Sequence, residues 1–274
     1  MRSLVFCLLA WFTLPLAAQS TFTVLSSTGG DHPPYVWFDQ SKGQENGFIF
    51  RIQDEVFKDL NIPVRREFLN FRSEQDWQQA TAAVIAGRID LITGATERSA
   101  MDGRLVFIPE PVIELKYHLL TLANNKKIEP RAALDNLHLI MVGRNSGTYF
   151  HLLFPAAKLA VFHTQDEAFK ALLSGRYDGM LASYYAALAF TRLYDSDKAI
   201  TISETVYANF PVYMAISKTS PLLPRLAEIN SKLVEMKEQG RYKLILYQTM
   251  QHYLRQVSGD NKGENKQENN KKAR

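Results

Sequence analysis

One short pattern occurs twice in the chain and constrains the fold more than any other feature. Residues 87–96 read GRIDLITGAT and residues 175–182 read GRYDGMLA. Each copy follows an Ala-containing apolar run and continues into an apolar strand and a small polar loop. A glycine that ends a helix just before a buried strand is typical of α/β units, so the repetition predicts two α/β lobes.

Strands and helices alternate around both copies. The segment FIFRIQDEVFKDL, residues 48–60, places apolar residues at four-residue steps and predicts an amphipathic helix. The segment TQDEAFKALLSG, residues 164–175, begins with a capping box and ends at a glycine. Strands joined by helices of this length predict right-handed crossovers and mostly parallel sheets.

The first 18 residues have the composition of a signal peptide. Arg2 precedes the apolar run LVFCLLAWF, and LPLAA follows it, so cleavage is expected near Ala18. A transmembrane helix is the alternative, but the run is shorter than the roughly 20 residues that span a bilayer. Cys7 is the only cysteine and has no lipidation motif around it, so we expect an unlipidated periplasmic protein without disulfides.

The C-terminal segment, residues 258–274, has no apolar side chain larger than alanine and is predicted to be a disordered tail. This tail and Arg2 carry most of the net charge of +4, which leaves the rest of the chain close to neutral. The basic isoelectric point therefore does not indicate nucleic-acid binding. The six histidines lack zinc-binding spacing, and no cofactor motif is present, so neither a metal nor a cofactor is expected.

Ligands of open α/β sheets bind beyond the carboxyl ends of the strands. That rule selects three small polar loops, at residues 94–96, 145–148 and 182–185. Each is expected to lead into a helix whose free N–H groups favour negative charge.

These segments together resemble the bacterial extracellular solute-binding proteins of the amino-acid type. The resemblance covers about residues 22–253 and rests on HPPYVWFD, GFIFRIQDEV, DWQQATAAVIAGRIDLITGAT, GRNSGT and GRYDGML. It implies a two-lobed α/β periplasmic binding protein of type II, in which each mostly parallel sheet is flanked by helices and the ligand cleft lies between the lobes. The implied division is residues 19–119 and 215–257 for lobe 1 and residues 120–214 for lobe 2, with crossings near 119–123 and 211–215.

The resemblance also assigns site residues. An aromatic platform for the ligand corresponds to Trp77, and the opening loop supplies His32 and Tyr35. The loops after the strands supply Gly94, Thr96 and Thr148.

Two family positions are occupied by unexpected residues. Met101 stands where amino-acid binders carry an arginine for the ligand carboxylate, and Ser183 stands where they carry an aspartate for the ammonium group. Methionine cannot make a bidentate arginine contact. Arg98 or Arg104, one helical turn to either side, could take that role, and the sequence leaves the choice open.

The resemblance implies a monomer without catalytic residues that captures a small polar solute, amino-acid-like or a carboxylate, and delivers it to an ABC importer in the membrane. One alternative is a periplasmic sensory protein that docks on a membrane receptor. Another is a dehydratase-like enzyme on the same scaffold, which would need a general acid or base in the cleft.

Overall fold

The computed structural model describes residues 21–26, 32–39, 42–67, 74–96, 103–125, 134–143 and 150–272, except for the side chains of residues 74–78, 81 and 259–272. Ten of the strands in these ranges form one continuous mixed sheet, which two long antiparallel strands divide into a first and a second lobe.

The sheet of the first lobe has a parallel centre. Strand β1 (Phe22–Ser26) lies between β4 (Val64–Glu67) and β5 (Leu91–Ala95) and runs parallel to both. The crossovers are α1 (Phe48–Asp59) and α2 (Glu74–Ile85). The predicted apolar stripe of α1 is confirmed, because Phe48, Ile52 and Val56 are buried against this sheet.

The second lobe repeats this arrangement. Strands β8 (His138–Val142), β9 (Lys158–Phe162) and β10 (Gly179–Ser183) are parallel, with β8 in the middle. Helix α3 (Gln165–Leu173) joins β9 to β10, and α4 (Tyr184–Leu193) follows β10 directly. The hydroxyl of Thr164 accepts a hydrogen bond from the backbone N–H of Glu167, as the capping box predicted.

Two ten-residue strands connect the lobes. Strand β12 (Ala208–Ser217) pairs with β7 (Ile113–Leu122) through residues 208–212 and with β5 from Tyr213 onward. Strand β7 pairs with β10 through residues 117–120. The division of the chain into residues 19–119 and 215–257 for lobe 1 and 120–214 for lobe 2 stays a prediction.

Four short strands and the last helices complete the fold. Strand β6 (Leu105–Phe107) pairs with β12, and β11 (Ile200–Ile202) pairs with β7. The predicted opening loop contains a hairpin that the sequence did not indicate, formed by β2 (Trp37–Asp39) and β3 (Gln44–Asn46). Helices α5 (Leu226–Glu238) and α6 (Arg241–Lys272) follow β12, and both pack on α1.

Helix α6 includes the residues that were predicted to be disordered. Its backbone is helical to Lys272, whereas residues after 257 were expected to form a disordered tail. Residues after 257 extend a helix that has already formed over residues 241–257, so they need no new nucleus. No helix in the described part of the chain is long and apolar enough to cross a membrane.

Candidate functional site

The opening loop of the first lobe holds His32 and Tyr35 in a tight turn. The backbone N–H of His32 donates to the carbonyl of Val36 at 2.8 Å, and that of Tyr35 donates to the carbonyl of His32 at 3.0 Å. Gly47, just before α1, lies so close that a Cβ built on it would be 2.0 Å from the carbonyl oxygen of Tyr35. The glycine therefore allows the start of α1 to pack against the loop and fixes where both side chains point.

Ser183 occupies the corresponding place in the second lobe. It is the last residue of β10 and the residue before α4, and it is completely buried. This is the edge of the sheet at which ligands of α/β proteins bind, as predicted for the loop at residues 182–185.

The side chains of the two lobes meet directly. The Nε2 atom of His32 lies 3.0 Å from the Oγ atom of Ser183, and the Nδ1 atom of His32 lies 3.0 Å from the Nε2 atom of Gln165, the first residue of α3. A carboxamide nitrogen only donates, so the Nδ1 atom of His32 accepts and its Nε2–H donates to Ser183. Burial lowers the pKa of His32 to about 4, and the imidazole is therefore neutral at physiological pH.

Two tyrosines enclose this contact. The ring of Tyr35 stacks on the imidazole of His32 with centroids 5.5 Å apart, and the ring of Tyr117 from β7 lies 6.2 Å away. The side chain of Ser183 and the backbone of Tyr185 lie near the hydroxyl of Tyr35. Burial raises the pKa of both Tyr35 and Tyr117, so their phenols also stay neutral.

The resulting cluster contains no charged partner for His32 among the described residues. It consists of an imidazole, two phenols, a hydroxyl and a carboxamide, and the buried Oε1 atom of Gln165 has no hydrogen-bond partner in the described part of the chain. The cluster therefore offers neutral hydrogen-bonding groups at the contact between the lobes.

The remaining described candidates lie in the first lobe. Gly94 is in β5 with a φ of 104°, a conformation that favours glycine, and Thr96 follows the strand directly. Beside them, the Oγ1 atom of the buried Thr93 donates to the Oε1 atom of Gln53 at 2.5 Å. Arg104, the alternative carboxylate-binding arginine, is exposed, and its backbone carbonyl accepts from the backbone N–H of Lys218.

The structure does not describe the side chains of four predicted site residues. Residues Arg98, Met101 and Thr148 fall outside the described ranges, and only the helical backbone of Trp77 in α2 is described. Their assignments stay predictions. No group of three or more potential metal ligands occurs within the described ranges.

Sequence reasoning missed Gln165 and Tyr117. Gln165 was identified only as part of a helix start, and Tyr117 was assigned to no element. Their roles depend on contacts with His32, which is distant in sequence, and no local pattern indicates such a contact. The position of Gln165 in the sequence could have identified it as a site residue, because Gln165 follows β9 at the same sheet edge as Ser183.

Comparisons with known proteins agree with this architecture. The structure is similar to the GluR0 ligand-binding core in complex with L-glutamate, with a TM-score of 0.66 and 15% identity over 85% of this chain and 99% of that chain. It is similar to a histidine kinase sensor domain with similarity to periplasmic binding proteins, with a TM-score of 0.61 and 16% identity over 83% and 95% of the chains. A third similar structure is the ancestral amino acid-binding protein AncCDT-1, a precursor of cyclohexadienyl dehydratase, with a TM-score of 0.59 and 23% identity over 84% and 95%.

At these identities the three structures establish the fold, a two-lobed α/β binding protein. A comparison with curated proteins gives no match. Residues 25–252 match the family described as bacterial extracellular solute-binding proteins, family 3, and this range includes both lobes, both crossing strands and the His32 cluster. The chain therefore belongs to family 3 of the bacterial extracellular solute-binding proteins.

Proposed function

We propose that this protein captures a small polar solute between its lobes in the periplasm and delivers it to an ABC importer. Membership of a solute-binding family supports ligand binding as the general function. The contact between His32 and Ser183 supports binding between the lobes. It brings one predicted site residue from each lobe to a separation of 3.0 Å. A solute that touched this cluster would touch both lobes at once.

The chemistry of the cluster indicates the class of solute. An ammonium group beside Ser183 would meet only neutral side chains among the described residues, and burying an unpaired charge is costly. A neutral donor could instead bind the buried Oε1 atom of Gln165, which has no partner among the residues that the structure describes. We therefore favour small carboxylates and amino-acid derivatives over free α-amino acids.

A thermal-shift screen tests solute capture. A solute at 100 times its dissociation constant stabilises the folded protein by about 2.7 kcal/mol. For a body of this size that corresponds to a rise in melting temperature of about 5–10 °C. A panel of small carboxylates, amino-acid derivatives and sugars is expected to contain such a compound, and a panel with no shift in any class would contradict the proposal.

Two further measurements separate the alternatives. A compound that shifts the melting temperature should be recovered unchanged after overnight incubation, as judged by mass spectrometry. Conversion in proportion to added protein would instead indicate a dehydratase-like enzyme. If deletion of the gene abolishes a transcriptional response to the compound but not its uptake, the protein is a sensor and not part of an importer.

A further inference from the structure

Side-chain contacts join the two lobes, in addition to the two crossing strands. His32 and Tyr35 come from the first lobe, and Gln165 and Ser183 come from the second. His32 bonds to both of these second-lobe residues at 3.0 Å. Tyr35 stacks on the imidazole of His32 and lies near the side chain of Ser183.

This contact also gives Ser183 a hydrogen-bond donor, which a solute between the lobes would otherwise provide. Ser183 receives the Nε2–H of His32, a donor supplied by the protein itself. Two second-lobe side chains, Gln165 and Ser183, thus have a partner in the first lobe that would be lost if the lobes separated. In water these groups would be solvated, so the net gain from each bond is modest, and the set acts as a weak but specific connection.

We propose that His32, Tyr35, Gln165 and Ser183 form a latch that holds the lobes together in the solute-free protein and that opens when His32 is protonated. Hinge closure in two-lobed proteins requires an interaction that is present only in the closed state. The latch supplies such an interaction, and a solute competes with it or adds to it.

The direction of the pH effect follows from the surroundings of His32. Its neighbours among the described residues are Tyr35 from the same loop, Tyr117 from β7, Gln165 from α3 and Ser183 from β10, and none of these four is anionic near neutral pH. A protonated imidazole would lose its acceptor role toward Gln165 and would have no anionic partner within the described ranges. Burial lowers the pKa of His32 from 6.5 to about 4. The latch is therefore intact above pH 6.5 and weakens progressively as the pH falls toward 4.

Spin-label distances across the cleft test the latch without a solute. Exposed Lys58 in α1 and exposed Glu167 in α3 lie on different lobes and can be replaced by cysteine in a full chain that carries Cys7→Ser. The protein is unfolded and refolded to remove any bound solute. At pH 7.5 the distribution should contain one short distance. At pH 4.5 a longer distance should appear, and the ratio of closed to open protein should fall by up to about two orders of magnitude.

Variants assign the effect to His32. His32→Ala should show the longer distance at pH 7.5, and Gln165→Leu should shift the distribution in the same direction. His32→Gln keeps one donor and one acceptor but cannot be protonated, so its short distance should persist at pH 4.5. His163→Gln, at an exposed histidine of the second lobe, is the matched control and should behave as the wild type.

Each outcome decides the proposal. A wild-type protein that is already open at pH 7.5, or a His32→Ala variant with the wild-type distribution, overturns the latch. Acid opening that persists in His32→Gln assigns the pH effect to another group. Circular dichroism verifies that each variant is folded. If His32→Ala does not fold, the His32→Gln and Gln165→Leu variants still test the latch. Because no solute is used, failure here is distinguishable from failure of solute capture.

Discussion

The Oε1 atom of Gln256 accepts a hydrogen bond from the indole Nε1–H of Trp37 at 3.2 Å. The same carboxamide donates through its Nε2 atom to the buried carboxylate of Asp39 at 3.0 Å. Gln256 lies in α6, whereas Trp37 and Asp39 begin and end β2. The ring of Trp37 also meets that of Tyr253 at 5.3 Å, and Tyr253 contacts Phe190 of α4. Helix α6 thus connects the hairpin of the first lobe to a helix of the second.

Replacing Gln256 by alanine should destabilise the protein by about 1–3 kcal/mol, because it removes partners from two largely buried groups. The free energy of urea unfolding measures this. Gln248→Ala is the matched control on the same helix. Its side chain bonds to Arg51 in an exposed position, so its effect should stay within about 0.5 kcal/mol. Equal effects of the two variants would show that the connection to the hairpin contributes nothing.

Gly47 and Gly43 provide a matched pair for testing the support of Tyr35. Both have positive φ, but a Cβ at Gly43 would meet nothing within 4 Å, whereas one at Gly47 would overlap the carbonyl of Tyr35. Gly43→Ala should cost about 1–2 kcal/mol for the left-handed conformation alone. Gly47→Ala should cost at least twice as much and should change the environment of His32, as seen in imidazole NMR shifts. Similar costs for both would contradict the close packing at Tyr35.

The sequence predicted the parts of this molecule that depend on local pattern. The stripe of α1, the Thr164 cap and the helix stops at Gly87 and Gly175 follow from residue spacing and backbone preference. His32 and Ser183 were identified through the resemblance, and the structure brings them together. Neither pattern nor resemblance indicated that they bond directly, because that depends on how the two lobes approach each other.

The features that the sequence did not predict also depend on contacts between residues that are distant in the chain. Residues 37–39 were assigned to a loop and residues 44–46 to no element, because the hairpin is short and is held by contacts with α6 instead of by an apolar alternation of its own. Gln165 was assigned only to a helix start for the same reason, since its partner is the imidazole of His32.

The pH dependence of stability should identify the state of His32. A group whose pKa is lowered in the folded protein contributes stability that is present above its unfolded pKa and is lost as the pH falls through the folded value. With a shift from 6.5 to about 4, this contribution should decline between those values, by up to about 3 kcal/mol. The difference in unfolding free energy between wild type and His32→Gln, measured from pH 7.5 to 4, separates the contribution of His32 from that of the carboxylates. A difference that does not change with pH would mean that His32 is solvated.

The last prediction concerns the ligand. Charge-assisted contacts are worth about 1.5–3 kcal/mol each. If Met101 and Ser183 stand at the two anchor positions and neither Arg98 nor Arg104 replaces the first anchor, the loss should cost about 3–6 kcal/mol. A tenfold change in affinity corresponds to about 1.4 kcal/mol, so an affinity of about 1 μM would weaken to roughly 0.1–20 mM. Calorimetric titration with L-arginine, L-glutamine and L-glutamate should therefore detect no micromolar binding.

A matched pair of compounds examines the ammonium position separately. Glutarate has both carboxylates of L-glutamate but no ammonium group. If Ser183 and its neutral neighbours leave an ammonium without a counter-charge, removal of that group should not weaken binding, and glutarate should bind at least as well as L-glutamate. L-glutamate binding tenfold or more tightly than glutarate would mean that a carboxylate outside the His32 cluster pairs with the ammonium, and the correspondence drawn at Ser183 would then be wrong.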